Sequence, residues 1–322
     1  MKNKYSIGIT YGDPSGIGPE ILSSTLNNWS FNLKPTIFGN KTFLINLKQK
    51  IKDKLIYISN QSIDSYLFDN NMLGYANSFA GKHSYACLRL AVDYILKKKI
   101  KALVTGPVSK FAINLAKMNF IGQTDAIAKM CQINPSKVIM LFAANDLKIA
   151  LYTRHIPLSL IHKEITKKKL SDFLLNLNQE IKKWFKVKKP KIAVLGLNPH
   201  AGENGLIGNE EKSVIIPAIK DLKKRGVSLY GPFSPDAFLA EAGKLYLKNK
   251  KQKYDVVVSM YHDQSLPMFK AVCGFQGVNI TLGLPFLRVS PDHGTAFDIA
   301  GRNKASNEGM ASAVKFVEQI LI

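Results

Sequence analysis

Arginine is scarce in this chain of 322 residues, and so is negative charge. Arg accounts for five of 45 basic residues, against 23 acidic ones, and the formal net charge is +22. A strongly basic balance invites a nucleic-acid reading. The arginine shortage argues against it, because Arg supplies the bidentate and stacking contacts that read bases. The lysine clusters at 97–99, 167–169, 182–183, 188–189 and 248–253 fall at helix ends and loop edges. There they read as a solvated surface that also suits the helix dipole, so no nucleic-acid partner is expected. Cysteine is sparse too. Cys87, Cys131 and Cys273 lie far apart with no Cys-x-x-Cys spacing, and they read as free thiols of a cytoplasmic protein. Long hydrophobic runs are missing. No apolar stretch reaches the length of a membrane span, and the first one breaks at Gly12-Asp13-Pro14, too early for a signal peptide. No membrane association is expected.

What is present is the pattern of an α/β protein. Short apolar runs predict strands at Ser6–Thr10, Thr36–Gly39, Leu55–Ile58, Ala102–Thr105, Val138–Phe142, Lys148–Tyr152, Ile192–Gly196, Asp255–Ser259 and Val278–Thr281. Helical periodicity lies between them, at Gly18–Leu26, Ala80–Lys97, Thr124–Met130, Glu164–Phe185, Glu210–Lys224, Ala237–Leu247 and Ala305–Ile320. Such alternation implies a mostly parallel sheet with crossover helices. The length exceeds the usual span of one core, so two lobes are expected.

Polar clusters follow the expected strands, where open α/β sheets place ligands. Thr10 to Glu20 is a glycine turn into a helix, without the GxGxxG spacing of a dinucleotide loop. Thr105-Gly106-Pro107-Val108-Ser109-Lys110 is either a plain turn or an anion site at a helix start. Only six histidines occur. Three of them, His155, His200 and His262, stand in polar settings just past strands. Neutral imidazoles suit a divalent metal, and three leave positions open for substrate. A structural, hydrogen-bonded role is the alternative for each. The stretch from Gly277 to Gly301, in a Lys-rich chain, contains no Lys. It carries Asn279, Arg288, Asp292, His293, Thr295 and Asp298 among small and apolar residues. Asn and Arg are good donors to phosphate oxygens.

Six motifs in order, GDPSGIGPE, TGPVSK, RHIPL, NPHAGENGLIGNEE, YHDQSLPMFK and GVNITLGLPFLRVSPDHGTAFDIAG, together resemble the 4-hydroxythreonine-4-phosphate dehydrogenase family of vitamin B6 biosynthesis. The last is also similar to a loop of the isocitrate and isopropylmalate dehydrogenases. The resemblance implies a two-lobed α/β/α fold like theirs, with residues 1–115 plus 276–322 as the first lobe. Residues 116–275 would form the second, with the dimer contacts. It implies a homodimer with sites shared across subunits, and NAD, or NADP in its place, as oxidant. One divalent metal per site, Zn, Mg, Co or Mn, is implied as well. By motif, His155, His200 and His262 correspond to metal ligands. Gln123, Thr124, Lys270, Asn279 and Arg288 correspond to substrate contacts, and His293, Gly294, Thr295, Ala296 and Asp298 to the cofactor loop. Asp236 and Lys270 take catalytic roles. The expected reaction is oxidation and decarboxylation of 4-phosphooxy-L-threonine to 3-amino-2-oxopropyl phosphate. The alternatives are a dehydrogenase of another four-carbon phosphorylated hydroxy acid, of the threonate or erythronate 4-phosphate type, and a metal-dependent phosphohydrolase. One departure stands out: where the family has His, this chain has Gln123. Gln keeps a hydrogen-bond donor but cannot carry charge.

Overall fold

A computed structural model of the chain describes residues 5–44, 47–48, 55–60 and 72–322. Its strands are β1 (Tyr5–Thr10), β2 (Leu33–Phe38), β3 (Ile56–Ile58), β4 (Ala102–Thr105), β5 (Ile139–Ala144), β6 (Leu147–Leu151), β7 (Ile192–Leu195), β8 (Leu229–Phe233), β9 (Val256–Ser259), β10 (Val278–Leu282) and β11 (Leu287–Pro291). The helices are α1 (Gly18–Asn27), α2 (Ser78–Leu96), α3 (Lys110–Leu115), α4 (Gln123–Met130), α5 (Leu158–Glu164), α6 (Lys167–Phe185), α7 (Ile216–Lys224), α8 (Pro235–Leu247), α9 (His262–Cys273) and α10 (Glu308–Leu321).

The elements follow from local chemistry. In α6, Leu170, Leu174, Leu177 and Ile181 recur at helical spacing and are buried, while Lys and Asp fill the other face. Thr166 caps its first turn by accepting from the Lys169 N–H. Asn77 does the same for α2, accepting from the Ala80 N–H at 2.8 Å. Strands β4, β7 and β9 are buried throughout, as expected of parallel strands covered on both faces.

Two compact units result, residues 1–138 with 278–322 and residues 139–277. The stretch 116–138, expected with the second lobe, clusters with the first unit. Its Phe120, Ile127, Ala128 and Val138 pack into the core built on Phe38, Leu88, Val92 and Leu103, which holds α4 there. In this unit the strand order is β3-β2-β1-β4-β11-β10. Only the β10–β11 pair is antiparallel. In the second unit the order is β5-β6-β9-β7-β8. There β5 and β6 form an antiparallel hairpin, and β6, β9, β7 and β8 run parallel. Its core joins Phe142, Ile149, Leu151, Leu195, Leu239 and Phe269.

Two strands and three helices are absent from the sequence reading. Strand β8 contains Gly231-Pro232, which reads as a turn; it survives because β8 is an edge strand in its unit, where a missing N–H is tolerated. Strand β11 lies within the polar, lysine-free stretch 277–301, whose small residues and prolines read as a loop. Helix α9 carries Pro267 in its interior, a residue that normally argues against a helix, and α3 and α5 are only 6 and 7 residues long.

Candidate functional site

In the second unit the three histidines follow three neighbouring parallel strands. His155 lies just past β6, His262 past β9 and His200 past β7, and Asp236 follows β8. Their sequence order is 155, 200, 236, 262. Because β9 inserts between β6 and β7, their order along the strand ends becomes His155, His262, His200, Asp236. Adjacent strands stand about 4.8 Å apart, so the sheet itself sets the spacing of the row.

His155 and His262 meet, with ring centroids 5.5 Å apart. Two imidazoles on one tetrahedral zinc have ring centroids roughly 5 Å apart, so this pair fits a shared cation. The His262 Nδ1 lies 3.0 Å from the Asp263 carboxylate. That contact orients the ring and leaves Nε2 for a ligand. Among the described residues no three His, Cys, Asp or Glu side chains on one chain converge closely enough to hold a metal. His200 belongs to a separate turn. Its carboxylate neighbour is Asp236, which the Ser234 hydroxyl, the Ala237 N–H and His200 hold below the usual carboxylate range. His155, His200, Asp236 and Lys270 are all exposed, and Lys270 sits on the last turn of α9.

In the first unit the turns after β1, β4 and β11 are tied together. Gly106 N–H donates to the Thr10 carbonyl at 2.8 Å, Asp13 N–H to Pro107 at 2.8 Å and Ile17 N–H to Thr295 at 3.0 Å. Gly12 has φ +87°, and a Cβ there would lie 2.0 Å from the Pro107 carbonyl oxygen, so only glycine allows this approach. In the loop from His293 to Asp298, Ala296 is left-handed at φ +40°. A Cβ on Gly294 would meet no neighbouring atom within 4 Å. That leaves open backbone for a ligand to approach.

Arg288 is the chemically unusual residue of this unit. It lies on β11 and is 2% exposed. No carboxylate pairs with it among the described residues. Its Nε and Nη2 donate to the Thr105 hydroxyl at 3.0 and 2.7 Å, and its Nη1 to Thr281 at 3.1 Å. A guanidinium has five N–H groups, so one remains on each terminal nitrogen. Those two form a fork suited to a bidentate oxyanion. Burial pushes the guanidinium pKa down to about 10. A buried cation without a counter-ion is strained toward any anion that can reach it.

The same hydroxyl network extends to α4. Thr281 lies 3.5 Å from the Thr124 hydroxyl, and Asn279 sits two residues before Thr281 on β10, so both face one side. The Asn279 Oδ1 is buried with no partner among the described residues. One N–H of the Gln123 Nε2 donates to the Gly106 carbonyl at 3.0 Å, which fixes the amide orientation, because reversing it would oppose two acceptors. The Oε1 is buried and without a partner among the described residues. Gln123 therefore presents a ligand with this acceptor and with the second N–H of its amide.

One carboxylate escaped the sequence reading. Asp13 is fully buried. Desolvation pushes its pKa up to about 6, against the Ser15 and Ser109 N–H bonds that lower it. The signal was Asp between Gly and Pro at a strand end, which reads as a turn. Its folded pKa lies above the unfolded 3.8, so this group lowers stability as pH rises through that window. The cost is complete above the folded value, at about 3 kcal/mol. Asp13→Asn should therefore gain stability over wild type between about pH 4 and pH 6.5. Denaturant unfolding across that range checks it, and a pH-independent difference between the two proteins would exclude Asp13 as the source.

Mostly parallel strands with polar clusters at their ends, and a buried guanidinium with no carboxylate partner among the described residues, are the frame of an α/β enzyme. The family profile described as "Pyridoxal phosphate biosynthetic protein PdxA" matches residues 21–317, and the chain belongs to this family. It is 40% identical over 320 residues to a 4-hydroxythreonine-4-phosphate dehydrogenase of Sulfurihydrogenibium sp., with 96% of each chain covered. It is 36% identical to the protein so named in Aquifex aeolicus, with 98% of each covered. The crystal structure of 4-hydroxythreonine-4-phosphate dehydrogenase from Klebsiella pneumoniae superposes with a TM-score of 0.83 at 31% identity, covering 98% of both chains. No helix among the described residues is long and apolar enough to cross a membrane.

Proposed function

We propose that the chain catalyses the NAD-dependent oxidation and decarboxylation of 4-phosphooxy-L-threonine to 3-amino-2-oxopropyl phosphate, in pyridoxal 5'-phosphate biosynthesis. The observation that carries the reading is the row His155, His262, His200 and Asp236 at the ends of four neighbouring parallel strands. It is supported by membership of a family whose relatives bear that dehydrogenase name.

Each group has a role in this reading. The Arg288 fork and the Asn279 amide bind the phosphate, whose remote contacts orient the reacting carbons. Thr105, Thr124 and Thr281 hold that fork in place. His155 and His262 would hold a divalent cation, with His200 of a second copy as the third donor. Such an ion would supply a Lewis acid that lowers the pKa of a substrate hydroxyl. Asp236, ionised at neutral pH, and Lys270 accept and return protons. The exposure of these groups on the free chain supports a homodimer that covers them. The loop from His293 to Asp298 would receive NAD on open backbone at Gly294.

The test is direct. Purified protein is mixed with NAD, a divalent metal and a panel of phosphorylated four-carbon hydroxy acids, and the NADH band is followed. NADH formation with the 2-amino substrate is the expected result. Formation only with threonate or erythronate 4-phosphate would reassign the substrate. Phosphate release without NADH would replace a dehydrogenase with a phosphohydrolase.

Gln123 adds a pH signature. Wild-type kcat/KM should lack any titration from this position, because an amide does not ionise. Gln123→His should introduce one near pH 6.5, with catalysis favoured on the acidic side where the imidazolium meets an anionic substrate. Superimposable pH profiles of the two proteins would remove residue 123 from the site.

A further inference from the structure

His200 is held in an unusual backbone. Residues His200, Ala201, Gly202, Glu203 and Asn204 are all left-handed, with φ between +40° and +78°. L-residues visit that region singly, not in runs, because Cβ crowds the following carbonyl. Four of these five are not glycine, so the turn must be imposed from outside. Such outliers persist only where the surroundings over-determine them.

The neighbour that can impose it is Glu211. Its side chain is 3% exposed, and no Lys or Arg pairs with it among the described residues. Its Oε1 accepts the Leu197 and Asn198 N–H groups at 2.7 and 2.8 Å. Its Oε2 accepts from the Asn198 side chain at 2.9 Å. It also fills the inside of the turn: a Cβ on Gly202 would lie 2.6 Å from Oε2, and one on Gly196 would lie 3.0 Å from Oε1. Glu211 opens a π turn, Glu211–Ile215, that leads into α7. Widened turns of this kind recur at functional sites. One buried carboxylate thus gathers the entry to the turn and occupies its hollow.

We propose that Glu211 is a positioning residue: its carboxylate holds the left-handed turn that presents His200, and capture of a divalent cation by that histidine depends on it. The second half rests on the metal reading given above; the first half does not.

The experiment uses the full-length wild type, Glu211→Ala, Glu211→Gln and Gly202→Ala. Hydrogen–deuterium exchange reads the turn directly, and zinc titration by competition with a chromophoric chelator reads the ligand. In Glu211→Ala, protection of the segment 196–207 should fall by about tenfold or more, since two backbone N–H partners are gone. Zinc affinity should fall by about 10–100-fold, the usual loss when the support behind a ligand is removed. Glu211→Gln keeps an oxygen for both backbone donors and should stay within about threefold of wild type in both readouts. Gly202→Ala, which leaves the carboxylate in place but crowds it, should behave like Glu211→Ala, and it carries the test if Glu211→Ala does not fold. Unchanged protection in Glu211→Ala and Gly202→Ala overturns the proposal. So does lost protection with unchanged zinc affinity. If the wild type takes up no zinc while Glu211→Ala still exposes the segment, the metal reading of His200 falls and the second half with it, while the first half stands.

Discussion

His262→Ala is expected to bind divalent metal at least about a hundredfold more weakly than the wild type, and to lose turnover with it. His262 follows β9, beside the strand that carries His155, and is one of the two donors that this chain brings together. Its ring already faces His155 at 5.5 Å, and the Asp263 contact at 3.0 Å fixes its orientation. Losing only the support behind a ligand costs about 10–100-fold in affinity or activity, so losing the ligand itself exceeds that. The fold should survive, because His262 is partly exposed at the first position of α9 and removes no core packing. Metal titration, NADH formation and thermal unfolding separate these effects. Chelation of the wild type should reproduce the loss of turnover, and restored metal should reverse it. A metal-stripped His262→Ala that turns over at the wild-type rate would end the metal role.

Arg288→Met should act oppositely on function and on stability. Removing one partner of a buried, hydrogen-bonded charge pair costs about 2–5 kcal/mol in binding, or roughly 30- to several-thousand-fold in affinity for the phosphorylated substrate. Without ligand, however, the wild type carries a guanidinium that is 2% exposed and satisfied only by hydroxyls. Its pKa is pushed down to about 10 from 12.5, a sign that burial disfavours the charge. An apolar side chain of similar length removes that penalty, so unliganded Arg288→Met should melt no lower than wild type. Arg288→Lys should bind weakly as well, because a point charge replaces the fork. The check is substrate binding and thermal unfolding on the same preparations. A phosphate-free analogue should lose little from either change. Equal losses with both ligands would place Arg288 outside phosphate recognition.

Much of this molecule is legible in one dimension. Nine strands are visible as apolar runs, such as Ile192 to Gly196 and Asp255 to Ser259, that are short, β-branched and bounded by turn residues. The long amphipathic helix around Leu170, Leu174 and Leu177 was visible in its spacing for the same reason. The candidate site residues stand out as polar residues at strand ends and as a lysine-free stretch. Where the reading stopped, the physics was non-local. Pro232 could lie in a strand only because β8 is an edge, and no local pattern reports which strand is at an edge. The order of β6, β9 and β7 is likewise a property of the sheet. It alone turns His155, His200, Asp236 and His262 into a row with His262 beside His155.

Strand runs, helix spacing and the glycine turns are local properties, because propensity, glycine placement and strand length act over a few neighbours. What those residues can do depends on the packing around them. It turned the Gln123 amide so that one N–H meets the Gly106 carbonyl and the buried oxygen is left without a partner among the described residues. It buried Arg288 with hydroxyls and no carboxylate, and it raised the Asp13 pKa by desolvation. Hydrogen-bond direction and burial depend on atoms brought from distant parts of the chain. Arg288 and Thr105, 183 residues apart, are one such pair.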